Sequence, residues 1–483
     1  MIAAVVALVA LAGGLLFVGT ADRAAAPAAP TAGPTTPANA VPTTTPRGER
    51  AEPWPQRPVV RLRFQVATDR SRVEGRESVR FTPDLRVCEL VFRSWPNKPE
   101  TAKAGNALTV TAVSVGGRAV RPRVAAAGAP AGSPGSLVEV PLPRCVAAGT
   151  PIDADLRFRL TLGADTPERV GYSPADGMAW FATAFPLLGW ERERGWVRNP
   201  AVDLFGETAT SEEFRLESLE VVAPSGDEVL GAGELVEEVA GPGGTRVHRF
   251  RADSVRDVAA TVGELRVVER AVGGVRLHVG GPVSGTAAPL ERWADRTAES
   301  LRRLTALLGP YPHTDLWVTI VPKVPTGIEF PGAIQFGDVD PARFGALVSH
   351  EVAHMWFYSL VGNSQGRDPW LDESFATWAQ AVVDGDEGSY QLANVPADVV
   401  GLVGQPMVFW ARRGSDYGPG VYQQGGAALI AARQKAGTAR FDEVMRAYVD
   451  ANAHQVATPD DVERAFAGLP EVLEILRRVG ALG

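Results

Sequence analysis

His350-Glu351-Val352-Ala353-His354 is followed, after eighteen intervening residues, by Glu373 in the run Trp370-Leu371-Asp372-Glu373. A helix advances about 100° per residue, so two histidines four apart share one face, one turn apart. Two neutral imidazoles at that spacing grip a single Zn2+, and Glu351 projects beside them, placed to take a proton from a metal-bound water. A catalytic zinc keeps three protein ligands and one open position, and Glu373 is the natural third ligand. The chain has six histidines in 483 residues, so two on one such motif is a strong constraint. Whatever the fold, it has to set a helix bearing His350 and His354 against a segment bearing Glu373.

Local signals suggest how. Asp340-Pro341 reads as a helix start, with Asp at the N-cap and Pro at the first helical position. Apolar residues recur through Phe344, Leu347, Val348, Val352 and Met355, and Gly362-Asn363 reads as the stop. A second start at Asp368-Pro369 opens a helix through Phe375, Ala376, Ala379 and Val382 to Gly385, with Glu373 in its first turn. A linker of about five residues predicts an antiparallel pair that returns Glu373 to the histidines.

The two runs His350 to Phe357 and Trp370 to Ala376 resemble the zinc signature of the aminopeptidase N family of zinc peptidases: His-Glu-x-x-His, eighteen residues, then Glu. The segment Thr326-Gly327-Ile328-Glu329-Phe330-Pro331-Gly332-Ala333-Ile334 resembles that family's Gly-x-Met-Glu-Asn stretch. The resemblance implies that Glu329 binds the substrate's free α-amine, although Ile328 and Phe330 stand where the family has Met and Asn. Tyr422-Gln423-Gln424-Gly425 resembles the family's Tyr-x-Lys-Gly, which implies an oxyanion-stabilising role for Tyr422. The Lys is absent here, and Tyr417 competes for the same role. The resemblance extends from about residue 58 to the C-terminus. About 60 residues follow Tyr422, without the long helical domain that usually caps the family's cavity, so a more open cleft is expected.

The remaining pattern gives the fold class: multidomain, an N-terminal all-β saddle or sandwich domain followed by a thermolysin-like α+β zinc-peptidase domain. Residues 58–265 alternate in short runs such as Val59 to Val66, Ser78 to Phe81, Leu108 to Val113 and Leu156 to Leu160. Glycine turns at Gly116-Gly117 and Gly241 to Gly244 separate them. The aromatic stretch Trp180 to Trp190 reads as core packing in preference to a cleft wall. Residues 266–483 switch to a helical period at 290–308, a short strand at Leu316 to Val321, then the two ligand helices and further helices near 424–436, 440–451 and 459–467. Beside the ligand helices an exposed sheet edge would hold an extended peptide by main-chain hydrogen bonds.

The N-terminus bears on location. Ile2 to Val18 is an unbroken apolar run, so residues 1–21 read as either a signal peptide or a membrane anchor, and both stay open. Residues 22–57 are Ala/Pro/Thr-rich and read as a disordered linker. Together these place the folded part outside the cytoplasm, secreted or membrane-anchored at the cell surface. Two cysteines, Cys88 and Cys145, fit a disulfide in such a compartment. A net charge of −8 and a pI near 5.5 argue against a nucleic-acid partner.

The expected chemistry is peptide hydrolysis with one Zn2+ per chain. His350, His354 and Glu373 hold the ion, Glu351 serves as general base and then general acid, and Tyr422 assists the oxyanion. With Glu329 on the substrate amine the enzyme is an aminopeptidase. Two other readings stand on the same residues: a zinc endopeptidase or other zinc hydrolase, and a catalytically inactive cell-surface binding protein. Thr377, one turn after Glu373, is a candidate to support a ligand. His248, His278, His313 and His454 lack partners at ligand spacing and read as structural. Side-chain preference and oligomeric state are not legible.

Overall fold

The computed structural model describes residues 49–204 and 212–483. The expected signal or anchor and most of the expected linker lie outside those residues. From Arg50 onward the chain is laid against the body: Ala51 N donates to Asp450 O at 2.8 Å, and the Arg50 guanidinium pairs with Asp450 at 3.2 Å. Among the described residues no helix is long and apolar enough to cross a membrane.

The first half is all β, as the alternation predicts. An eight-stranded sheet runs in the order Glu234–Ala240, Thr245–Val255, Phe214–Pro224, Val59–Val66, Arg72–Phe81, Ile152–Thr161, Ala107–Val115, Arg118–Ala119. Strand Ile152–Thr161 is buried at every second residue without a break, so one face fills a core and the other meets water. Two four-stranded sheets cover the inner face, and Trp180, Phe181, Phe185 and Trp190 are each no more than 1% exposed within that core. The aromatic stretch is therefore packing. Cys88 and Cys145 are joined, closing a separation of 57 residues between two paired strands.

A five-stranded sheet follows, ordered Leu265–Val272, Val275–Pro282, Asp315–Val321, Ala333–Gly337, Gly327–Phe330. Its two central pairings are parallel, which requires crossovers, and helix Leu290–Leu308 supplies the first. Both faces of this sheet are covered. Val318, Ile320, Ile334 and Phe336 belong to the helical core, whereas Trp317, Val321, Ile328, Phe330 and Ala333 pack into the β half. Strand Gly327–Phe330 is the sheet edge, antiparallel to Ala333–Gly337, and lies beside helix Gly345–Ala353.

The first ligand helix departs from its predicted limits. Asp340 Oδ1 accepts from Ala342 N at 3.0 Å inside a separate turn, and the helix begins only at Gly345. It ends at Ala353, with His354 in the cap position but still at helical dihedrals. The chain then reverses at Tyr358, whose φ of 97° is one few side chains adopt, so the helix never reaches Gly362. The linker from His354 to Pro369 is correspondingly much longer than expected. The second ligand helix, Trp370–Asp384, ends at Gly385 in the left-handed conformation (φ 69°), as predicted. Helices Gln424–Ala436, Thr438–Ala451 and Pro459–Ala465 fall where expected, and Pro470–Arg478 adds one that was not.

Candidate metal centre

Helical spacing puts the two imidazoles of His350 and His354 on one face, and their Nε2 atoms lie 3.1 Å apart. Glu373 arrives from the first turn of the second ligand helix: its Oε2 is 3.0 Å from His350 Nε2 and 3.5 Å from His354 Nε2. Three donor atoms therefore converge on one point, and these residues form a group able to hold a metal ion. The orientation of His354 is set from behind. Its Nδ1 donates to Asp372 Oδ1 at 2.6 Å and faces Phe357 O at 3.2 Å, which leaves the Nε2 lone pair for a ligand. Asp372 is itself held by Gln365 Nε2 at 2.9 Å.

Glu351 and Glu329 stand on the other side of His354, with ligating atoms within 4.8 Å of it and of each other. Glu329 comes from the edge strand, Glu351 from the helix facing it. Their approach depends on Gly327, because a Cβ there would lie 2.4 Å from Glu351 Cγ and 2.5 Å from its Oε1. Glu351 is 4% exposed and its Oε2 has no hydrogen-bond partner, a costly arrangement unless something else uses that oxygen. An orphaned carboxylate oxygen beside three convergent donors fits a site built for a cation and its water.

Burial sets the electrostatics. It lifts Glu351 well above the ordinary carboxylate range and raises Glu329 to about 7, against the pull of His354. Burial also works against the charge on Glu373, but the His354 charge and the hydrogen bonds from His350 and His354 outweigh it, so Glu373 lies below its usual value. Burial lowers His350. Burial acts the same way on His354, yet the charges of Glu329, Asp372 and Glu373 raise it well above its ordinary value. The pocket thus concentrates acidic groups at one place, which a divalent cation offsets.

Tyr422 lies in a π-helical turn, Gly418–Gln423, and its ring stacks on His350 with centroids 5.6 Å apart and 22° between planes. Tyr417 packs edge-on against Tyr422 at 5.5 Å, so Tyr422 holds the position next to the ligands. Thr377 does not support a ligand: its Oγ1 is buried without a hydrogen-bond partner. The residue doing that work is Asp372, whose only sequence signal was its place immediately before Glu373. The other histidines are structural. His278 stacks on Trp317 at 3.8 Å, and His248, His313 and His454 bond to Glu238, Ser359 and Glu213 respectively.

Residues 338–401, which span the first ligand helix and the whole of the second, match the model of the peptidase family M1 domain. This chain belongs to peptidase family M1. An aminopeptidase N of Streptomyces lividans is 56% identical to the M1 chain over 36 residues, and an aminopeptidase 2 of Candida albicans is 32% identical over 135 residues. Those matches cover only 4% and 14% of the two relatives' lengths. In fold, the M1 chain is similar to an M1 zinc metallopeptidase mutant from Deinococcus radiodurans, with a TM-score of 0.64, 20% identity, and coverage of 88% of this chain and 93% of that one. The same mutant bound to a Tyr-Ser-Ala substrate superposes with a TM-score of 0.63 at 19% identity, covering 88% and 94%. The fold class read from the sequence, a β domain followed by a thermolysin-like α+β peptidase domain, agrees with this likeness.

Proposed function

We propose that the protein is a zinc-dependent aminopeptidase, with His350, His354 and Glu373 holding one Zn2+. The observation that carries this reading is the convergence of those three donors beside an unpartnered Glu351 carboxylate oxygen. When bound, zinc polarises the scissile carbonyl and acidifies its water. Glu351 takes the proton from the attacking water and returns it to the leaving amine, a role that its raised affinity for protons suits. Tyr422 donates its phenol to the developing oxyanion from above His350. Glu329, buried on the edge strand, pairs with the α-ammonium of the substrate, and the adjacent edge receives the peptide backbone in extended form. Removal of one residue at a time from a free N-terminus is the consequence.

We also propose that the folded part works outside the cytoplasm, since a disulfide such as Cys88–Cys145 persists in oxidising compartments. The decisive experiment incubates zinc-loaded protein with matched peptides bearing free and N-acetylated termini, and reads the products by mass spectrometry. Loss of single residues from free termini alone supports the aminopeptidase. Internal cuts, or cleavage of the acetylated set, would replace it with an endopeptidase on the same site.

A further inference from the structure

Beside the first trio of donors lies a second. Glu329, Glu351 and His354 each present a ligating atom within 4.8 Å of the others, and all three residues are buried. Two carboxylates from different elements, one on the edge strand and one on the helix, face each other where Gly327 leaves room. Two carboxylates this close and this dry repel each other unless a cation lies between them. The Glu351 Oε2 atom, buried and without a hydrogen-bond partner, belongs to this pair and lacks the hydrogen bond that buried oxygens normally have.

We propose that Glu329, Glu351 and His354 form a second divalent-cation site that fills at higher metal concentration and switches the enzyme off. The donor set of two carboxylates and one imidazole suits zinc and its first-row neighbours. The two trios share His354, and that sharing ranks them. Because His354 Nδ1 is committed to Asp372 and Phe357 O, only Nε2 can bind a metal, and one nitrogen lone pair serves one ion. With the first trio loaded, a second ion has Glu329 and Glu351 alone as protein ligands, so its site is the weaker one. Its effect follows from its ligands. An ion on Glu351 ties up the oxygens that would accept the proton, and an ion on Glu329 occupies the place of the substrate ammonium. The binding stands on the geometry; the inhibition rests on the roles proposed above for these two glutamates.

The test titrates metal-free full-length protein with Zn2+ alone, by calorimetry, and follows peptidase activity across the same zinc range. Two binding events are expected, with activity rising through the first and falling through the second. Glu329→Gln should weaken the second event at least about tenfold, the scale on which even residues behind a ligand act, and leave the first in place. His350→Ala should remove the first event while zinc still binds through the second trio. Free L-alanine, whose ammonium competes for Glu329, should shift the weaker event to higher zinc. A single event, unchanged in Glu329→Gln and followed by activity that stays flat at excess zinc, overturns the second site and leaves the proposed function intact. Loss of the tight event from the unmodified protein would instead overturn the proposed function.

Discussion

Asp372 Oδ1 lies 2.6 Å from His354 Nδ1, a contact between the first turn of one ligand helix and the end of the other. It holds the imidazole in the tautomer that presents Nε2 to a metal. Asp372→Ala should therefore weaken zinc affinity by roughly 10–100-fold, with less loss for Asp372→Asn, which keeps the side-chain shape. Competition against a chelator of known affinity measures this directly. Equal affinity in all three proteins would remove Asp372 from the metal centre.

Glu351→Gln preserves size but cannot accept a proton. Turnover should fall by about 10²–10⁴-fold while metal content by atomic absorption stays at the wild-type level. Activity near the wild-type level would assign the general base elsewhere.

Gly327→Ala tests the close approach of the edge strand to the helix. The added methyl would sit 2.4 Å from Glu351 Cγ, so the carboxylate has to swing away or the strand has to retreat. Overpacking of this kind costs about 1–3 kcal/mol. The expected signature is a lower kcat with zinc retained. Unchanged kinetics would show that the gap tolerates a side chain.

His313 carries a pH dependence. Burial and the neighbouring His454 lower it to about 4, and its Nε2 is 2.7 Å from Ser359 Oγ. The unfolded chain takes up this proton near pH 6.5, the native state only near 4. Between those values the unfolded state binds more protons, so stability falls as the pH drops, by at most about 1.4 kcal/mol per unit from this group. His313→Gln keeps a hydrogen-bonding side chain but does not titrate there. Its melting temperature should decline less than that of the wild type on going from about pH 7 to about pH 5, and parallel declines would dismiss His313 as a contributor.

Reduction of Cys88–Cys145 releases a loop of 57 residues. Chain entropy alone puts the loss near 4 kcal/mol, concentrated in the β half. A melting curve indifferent to reductant would show that the strands hold that loop without help.

The ligands were legible because the chemistry is local. Four residues fix the relation of His350 to His354, and the Asp368-Pro369 and Gly385 signals bound the helix bearing Glu373. The strands were legible where one face meets water, as in Ile152–Thr161. What stayed hidden depends on contacts between distant segments. Asp340 looked like a helix cap, but its carboxylate closes a separate turn. Tyr358 gave no sign of a reversal, because its left-handed backbone is imposed by the surrounding packing. Nothing near Gly327 announces that a glutamate on another element needs its missing side chain.

The strand Asp315–Val321 sends Val318 and Ile320 to one core and Trp317 and Val321 to the other. Neither half of the molecule has a surface of its own at this strand. Excising the peptidase half would strip the apolar cover from Trp317, Ile328 and Phe330, and with it the support of the strand that carries Glu329. The smallest autonomous catalyst in this chain is therefore both halves together, melting as one cooperative body, with the β half acting as the keel on which the substrate edge is laid.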